Sequence, residues 1–224
     1  MEEVDRAAYL AALSPGTEID HRGTPFASEL LCRLLNALRD ATTGLPHIGD
    51  ARFDEASFTG DARFEGALFT GFARFDEASF TDDAQFDRTS FTGDAWFYGA
   101  SFTGEAWFRE ASFADAAEFE EASFSSGARF FGASFTSYAW FRRASFSGGA
   151  GFFAASFSRD VGFEGSRFEK ARRLGPLVCG GTVVLDGAVF EAPVTVNIAA
   201  RQVSCARTRW SLTSTLTCAT PRWT

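Results

Sequence analysis

The chain contains few of the side chains that enzymes most often use for catalysis or metal binding. Its 224 residues include two histidines, four cysteines, one methionine and a single lysine, Lys170, against 20 arginines. The cysteines are widely spaced and form no Cys-x-x-Cys pair, which argues against a zinc site or a disulfide framework and favours a reducing cytoplasm. No nucleophile elbow, P-loop or Gly-x-Gly-x-x-Gly fingerprint occurs. We therefore expect a protein that is not an enzyme, with no catalytic residue, no cofactor and no metal.

Long apolar runs are also missing. A membrane-spanning helix needs about 20 apolar residues, and a secretory signal needs an apolar centre. The sequence has no such run, and its N-terminal segment MEEVDRAAYL is acidic. We therefore expect neither membrane contact nor a secretory signal.

Charge is unevenly distributed along the chain. The net charge is -8, but residues 51–121 carry -11, whereas residues 122–170 and 171–224 carry +3 and +4. An acidic surface repels nucleic-acid phosphate, so we expect no direct contact with nucleic acid. It can attract a basic protein surface, such as that of a nucleic-acid-binding protein. The alternative is a charged surface that serves only solubility.

Phenylalanine is abundant and strictly periodic. The chain has 27 Phe against 3 Tyr and 5 Trp. From Ala51 to Ala171 it repeats every 11 residues as a five-residue block, Ala-x-Phe-x-x, and a six-residue block such as Ala-Ser-Phe-Thr-Gly-Asp. Phe occupies all 22 grid positions, and Ala precedes it by two residues except at Thr89, Val161 and Ser166.

This period excludes a long helix, since alternating spacings of five and six residues do not maintain a 3.6-residue stripe. Each block instead predicts a very short extended segment with Ala and Phe inside and the residue between them outside. Four blocks then form one coil of 22 residues, and residues 22 apart stack. We expect the extra residue of each six-residue block to widen one corner on each of two opposite sides.

The block Ala-Ser-Phe-Thr-Gly resembles the pentapeptide repeat, and the resemblance covers residues 51–170. It implies an all-β solenoid, a right-handed quadrilateral parallel β-helix. The chain departs from the pure five-residue pattern by one inserted residue in every second block.

The ends differ from the repeat. We expect residues 1–50 to form an α-helical N-terminal cap, with helices over 3–13 and 25–40, because solenoid ends need covering. Thr24 is the expected N-cap of the second helix, with Pro25 at its first position and an apolar leucine stripe. A partner-binding helix is the alternative. Residues 172–224 are expected to continue the solenoid irregularly and to end in a tail.

One cluster and several stacked columns are candidate sites. The segment Asp20-His21-Arg22 is interpreted as a turn between helices with a solvated histidine, rather than as an acid–base site. Outward aromatic and charged residues form columns under the 22-residue coil, with Phe131 and Phe153 facing solvent. Such aromatics indicate a partner surface or, alternatively, a stacked ladder that protects the backbone. The candidate interaction surface comprises Arg52, Arg74, Trp96, Trp107, Trp140, Phe131, Phe153, Asp61, Asp83 and Glu105.

The leading functional hypothesis is a non-enzymatic protein-binding or scaffold solenoid whose partner is unknown. The resemblance implies an alternative, because some pentapeptide-repeat proteins are similar to duplex DNA in width and charge, bind DNA gyrase and protect it from quinolones. The acidic residues 51–121 suit that alternative, whereas the basic residues 122–224 weaken it. A homodimer through the C-terminal end is a further expectation, since Trp210 and Trp223 lie there.

Overall fold

A computed structural model describes residues 3–220 of the chain, so Trp223 lies outside the described residues. The chain folds as a parallel β-solenoid of about eight turns with two helices near its start, α1 (Glu3–Ala12) and α2 (Ser28–Ala37). The sequence-based prediction of a β-solenoid with an N-terminal helical cap is therefore confirmed.

The short strands stack in four faces, as a four-sided coil requires. Face 1 consists of β1 (Ile19–Asp20), β4 (Ala51–Arg52), β8 (Ala73–Arg74), β12 (Ala95–Trp96), β16 (Ala117–Glu118), β20 (Ala139–Trp140) and β24 (Val161–Gly162). Face 2 consists of β2 (Pro25–Ala27), β5 (Ser57–Thr59), β9 (Ser79–Phe80), β13 (Ser101–Phe102), β17 (Ser123–Phe124), β21 (Ser145–Phe146), β25 (Arg167–Phe168) and β27 (Val189–Phe190).

The other two faces complete each coil. Face 3 consists of β6 (Ala62–Arg63), β10 (Ala84–Gln85), β14 (Ala106–Trp107), β18 (Ala128–Arg129) and β22 (Ala150–Gly151). Face 4 consists of β3 (His47–Ile48), β7 (Leu68–Phe69), β11 (Ser90–Phe91), β15 (Ser112–Phe113), β19 (Ser134–Phe135) and β23 (Ser156–Phe157). Three longer strands, β26 (Arg173–Val184), β28 (Thr195–Ser204) and β29 (Thr215–Ala219), continue the winding.

The register follows the predicted 22-residue coil. Ala51 pairs with Ala73, and Ala73 pairs in turn with Ala95, in parallel strands. The same step relates neighbouring strands on the other faces of the repeat region. Residues 22 apart therefore lie above one another along the solenoid axis.

The interior is filled by four columns of phenyl rings, one along each face. Within a face, rings of successive coils stack nearly parallel, as for Phe75 and Phe97 at 4.9 Å between centroids and 5° between planes. Rings of the opposite faces 1 and 3 meet edge to face, as for Phe97 and Phe86 at 5.6 Å and 88°. Both are favourable aromatic geometries, so each ring gains contacts along and across the axis.

Small residues beside the rings let the backbone of each coil close on the core. Ala51, Ala73 and Ala95 are fully buried. Two of the three exceptions to alanine, Thr89 and Ser166, are also fully buried, and their hydroxyls donate hydrogen bonds to the backbone carbonyls of Phe64 and Phe141. The polar substitutions are therefore satisfied inside the core.

The corners alternate between tight and wide, as the extra residue predicts. At the tight corner after face 1, Ala56 N–H donates to Phe53 O at 3.1 Å, and Glu55 has a φ of 58°. The tight corner after face 3 is equivalent, with Gly66 at a φ of 68°. The inserted residues, such as Asp61 and Phe72, lie at the two opposite corners, which follow faces 2 and 4.

The second helix is shorter than the sequence-based prediction of residues 25–40, because a strand occupies its predicted start. Pro25–Ala27 is the strand β2, and α2 begins only at Ser28, with Ala27 rather than Thr24 at its N-cap. The reason is the core: Phe26 stacks on Phe58 at 5.3 Å and 11°, so it occupies the first ring position of face 2. Helix α2 is thus inserted into the coil, and its buried leucines Leu31, Leu34 and Leu35 cover the ring columns.

The prediction of a solvated histidine at residue 21 is wrong. Because Ile19 pairs with Ala51, His21 takes the ring position above Phe53 on face 1, with centroids 6.0 Å apart and an angle of 18°. Its Nε2 lies 3.0 Å from the hydroxyl of Tyr9 in α1. Burial lowers the pKa of His21 below its ordinary value of 6.5, and the charge of Asp20 opposes that shift.

The C-terminal region extends the same core. Trp210 stacks on Phe190 at 4.8 Å and 2°, so it ends the ring column of face 2. β29 pairs with β28, and no other strand among residues 3–220 pairs with β29. All four cysteines are free.

The core predicts a large loss of stability when one ring is removed. Phe108 is fully buried and contacts rings on the coils before and after it, so Phe108→Ala leaves a cavity. We expect the free energy of unfolding to fall by about 3–5 kcal/mol, measured by urea denaturation. The control Phe153→Ala removes a ring that is 52% exposed and should cost less than about 1 kcal/mol. Equal losses in the two variants would contradict the inward placement of Phe108.

The histidine above the core predicts a pH-dependent stability. Burial makes protonation of His21 less favourable in the folded protein than in the unfolded chain, where it occurs near pH 6.5, so protons favour the unfolded state. This contribution to stability is complete above about pH 6.5 and is lost as the pH falls below it. His21→Phe should reduce the difference between the urea midpoints at about pH 7.5 and about pH 5. The prediction fails if the His21→Phe variant declines as steeply as the parent.

Candidate interaction faces

The outward positions divide the four faces into two kinds. Faces 2 and 4 come from the six-residue blocks and carry a nearly constant serine at the outward strand position, as at Ser101 and Ser112. These hydroxyls form ladders, with Ser112 Oγ bonded to Ser90 Oγ at 3.1 Å, and the adjoining Thr81 hydroxyl donates to Phe58 O at 3.2 Å. Faces 1 and 3 come from the five-residue blocks, whose outward residue varies.

The outward column of face 1 has the predicted register. Arg52 lies against Arg74, Arg74 against Trp96, and Trp96 against Glu118. Trp140 follows Glu118, and the next outward position is Gly162. The column therefore begins with two arginines and continues with two tryptophans, which Glu118 separates.

Guanidinium groups stack on these aromatic rings. Arg74 Cζ lies 5.3 Å from the ring centroid of Trp96, and Arg142 Cζ lies 4.6 Å from that of Trp140. Arg52 Cζ lies 5.1 Å from the ring of Phe72. Each such contact stabilises the surface by about 0.5–1 kcal/mol where the pair is exposed. The rings are half-buried: one side of each ring contacts a guanidinium group, and the remainder is accessible to a partner.

The corner columns beside face 1 add further aromatic and acidic groups. Tyr98 and Tyr138 are both 40% exposed, and Tyr138 stacks on Trp140 at 5.6 Å. Arg74 binds the carboxylates of Asp54 and Asp76 at 3.0 and 3.1 Å. Face 1 is thus a mixed surface of rings and paired charges.

Glu118 is the acidic member of the face 1 column. Burial raises its pKa above the ordinary value, and the nearby carboxylates of Asp76 and Asp94 add to that shift. Since it lies between Trp96 and Trp140, it introduces a carboxylate into the centre of the aromatic surface.

Face 3 carries the second predicted column. Gln85 lies between Arg63 and Trp107, and Arg129 follows Trp107. Trp107 lies beside two guanidinium groups, with Arg109 Cζ at 4.9 Å and Arg129 Cζ at 5.8 Å from its ring centroid.

Phe131 and Phe153 lie outside the core at the tight corner of face 3. They are 38% and 52% exposed, which confirms the prediction that they face solvent. The Phe131 ring covers Gly151, since a Cβ built there would meet Phe131 Cε1 at 2.1 Å. Phe153, the more exposed ring, lies on the following coil.

The acidic residues at the corner before face 3, which belong to the predicted interaction surface, have a structural role that the sequence did not reveal. Asp83 Oδ1 accepts the backbone N–H of Glu105 at 3.0 Å, and Glu105 accepts that of Gly127 at 3.3 Å. Asp61 binds Arg63 at 2.9 Å, and Glu105 binds Arg129 at 2.8 Å. Corner carboxylates therefore pair backbone donors of the next coil. The signal was available as an acidic residue recurring 22 positions apart.

Asp87 is the most buried of the corner acids and was missed by sequence analysis. Its side chain is 8% exposed, and it accepts hydrogen bonds from the backbone N–H of Arg109 at 2.9 Å and from Arg109 Nε at 2.8 Å. The carboxylate in turn raises the pKa of the Arg109 guanidinium.

The family model described as "Pentapeptide repeats (9 copies)" matches residues 47–90 and 86–134. Residues 47–134 belong to the pentapeptide-repeat family. The pentapeptide-repeat register continues past the matched segment, since Phe168 still stacks on Phe146 and Phe190 on Phe168. Neither a curated protein nor a solved structure matches the chain significantly. As a pentapeptide-repeat solenoid, the chain has the architecture of a structural or binding scaffold.

The described part of the chain, residues 3–220, contains no helix that is both long and apolar enough to cross a membrane.

The corner acids predict that Asp87→Ala destabilises the solenoid. The change leaves the Arg109 backbone N–H without its acceptor and removes the partner of the guanidinium. We expect a loss of about 1–3 kcal/mol in the free energy of unfolding, measured by urea denaturation. Glu65→Ala, in the same column one coil earlier, breaks only an exposed ion pair with Arg88 and should cost less than about 1 kcal/mol. If both variants lost the same amount, the structural role of Asp87 would be refuted.

Proposed function

We propose that this chain is a non-enzymatic protein-binding scaffold and that face 1 is its contact surface. The observation that carries the proposal is the division between the faces: outward residues are nearly constant serines on faces 2 and 4, but rings and charges on face 1. Such a column of rings and charges supports a recognition role for face 1.

The chemistry of face 1 supports a protein partner. Tryptophan, tyrosine and arginine are the side chains most enriched at the centres of protein interfaces. Trp96, Trp140 and Arg74 lie in one column on this face, with Tyr98 and Tyr138 at its corners. The stacked guanidinium groups hold the rings in place, so little side-chain freedom is lost on binding.

The partner's expected charge follows from the acidic half of the repeat. Residues 51–121 carry a net charge of -11, and the face 1 strands β4 to β16 lie within this range. A basic protein surface is complementary to it, and a nucleic-acid-binding protein is one source of such a surface.

The DNA-mimic function has weaker support than the general scaffold. A mimic of duplex DNA presents free negative charges at regular spacing, since its partner recognises phosphates. Here many repeat carboxylates are bound by arginines, as at Asp54, Asp87 and Glu120, or accept backbone N–H groups, as at Asp83. The direct test of that function is to measure DNA supercoiling by gyrase, with and without quinolone, in the presence of the chain.

A homodimer through the C-terminal end is the second candidate function, and the edge of β29 favours it. No other strand among residues 3–220 pairs with β29 on the side away from β28. Leu216 within it is 39% exposed, and Leu212 just before it is 88% exposed. Pairing between two copies at this edge would satisfy backbone groups and cover these leucines. Sedimentation of the chain and of a Leu216→Lys variant tests this pairing.

The scaffold proposal is tested by cross-linking the chain to lysate proteins and identifying the adducts. Trp96→Ser with Trp140→Ser removes two rings from face 1, and Ser101→Ala with Ser123→Ala is the matched control on face 2. We expect at least one adduct to be retained by the parent and the control but to be reduced at least tenfold in the face 1 variant. Thermal unfolding of each variant establishes that it is folded.

Identical adducts from the parent and from both variants would refute face 1 as the contact surface. Gyrase among the adducts, together with protection of supercoiling from quinolones, would establish the DNA-mimic function instead.

A further inference from the structure

A gap in the ladder interrupts face 3 near the C-terminal end of the repeat. β22 pairs with β18, and it has no other strand partner among residues 3–220, so face 3 ends at Ala150–Gly151 as a five-stranded sheet. The other three faces continue into β26 or β27. We call the gap between β22 and residues 170–175 the seam.

The gap leaves backbone donors without partners. On face 3, N–H groups point to the following coil: Ala128 N–H donates to Gly149 O at 2.8 Å, and Phe130 N–H to Gly151 O at 2.7 Å. The equivalent N–H groups of Ala150 and Phe152 have no acceptor among the described residues, although both residues are buried. A buried donor without an acceptor is costly, so these N–H groups call for an acceptor from outside the chain, either water or a bound anion.

A third donor at the seam lacks its usual corner carboxylate. At the preceding coils, Asp83 accepts the N–H of Glu105, and Glu105 accepts that of Gly127. Gly127 has no side chain with which to accept the N–H of Gly149, which has no acceptor within the described residues. At Gly149 a Cβ would meet no atom within 4 Å, so this position leaves the cavity open.

Three cationic side chains border the same gap. Lys170, Arg172 and Arg173 are exposed, and none forms an ion pair with any residue that the structure describes. Most arginines of the repeat bind a carboxylate, as Arg74 and Arg109 do. Arg129 lines the seam from the other side, where Glu105 binds it at 2.8 Å. Unpaired cations and unpaired N–H groups together favour an anion.

The seam is a cavity of about 720 Å³, within the usual size range of small-molecule sites. Phe131 and Phe153 both line it. Phe131 lies over Gly151, whereas Phe153 is 52% exposed and offers an unused ring face beside the cations.

We propose that the seam binds a small phosphate-bearing ligand with a planar ring, of the nucleoside diphosphate class. The phosphates contact Lys170, Arg172 and Arg173 and accept the N–H groups of Gly149 and Ala150, and the ring stacks on Phe153. The Glu105 carboxylate, already neutralised by Arg129, lies at the far side of the cavity. This site is on face 3 and is independent of the protein contact proposed for face 1.

Isothermal titration calorimetry of the full chain at low salt tests this site with ADP, adenosine and inorganic phosphate. We expect ADP to bind at least tenfold more tightly than adenosine or phosphate. Arg172→Ser with Arg173→Ser should weaken ADP binding at least tenfold. Phe153→Ser should weaken ADP binding and leave phosphate binding unchanged, because only the ring contact is lost.

The matched control is Arg63→Ser with Arg88→Ser, which removes two exposed positive charges of the face 3 side at the opposite end of the repeat. It should bind ADP as the parent does. Equal weakening by this control, or ADP binding no tighter than adenosine, would overturn the proposal. A glutamate peptide that displaced ADP and bound more tightly would also overturn it, because the anion would then be a polypeptide carboxylate.

Discussion

The stacking of phenyl rings at the spacing of β-strands is the interaction on which the fold depends. Neighbouring strands of a parallel sheet lie about 4.8 Å apart, and two offset rings stack favourably at nearly that distance. Ring centroids such as those of Phe80 and Phe102, or Phe108 and Phe130, are 4.7 and 4.8 Å apart. Backbone and side chains thus favour the same axial repeat. For this reason the first coil, which α2 interrupts, and the irregular C-terminal coils still continue the ring columns, through Phe26 and Trp210.

This core also separates structural from adaptable positions. Phe and Ala fill the interior, hydroxyls form ladders on faces 2 and 4, and corner acids such as Asp83 and Asp87 pair the backbone of the next coil. The outward position of each five-residue block neither fills the core nor pairs the backbone of the next coil. That freedom explains why residues as different as Arg74, Trp96 and Glu118 occupy one column without disturbing the coil.

The periodic part of the molecule could be predicted from sequence because one period sets strand, corner and register together. The first coil could not, because α2 is inserted within it: His21 lies 32 residues before Phe53, its neighbour in the stack, so no 22-residue rule relates them. The hydrogen bonds of Asp87 escaped notice because an acidic residue at a corner looks solvated. The seam was equally hidden, since it arises where a ladder stops and not from any residue pattern.

The 11-residue unit spans only half a coil, and this has a consequence for how such a molecule can change length. Gain or loss of two units preserves the side to which every later residue points. Gain or loss of one unit turns the remainder of the solenoid by half a revolution. Later residues of the face 1 column, which contains Trp96, would then lie in the face 3 column, which contains Trp107 on the opposite side. Because the rings repeat in every unit, the interior accepts either event, and a single duplication rearranges the surface while the core stays intact.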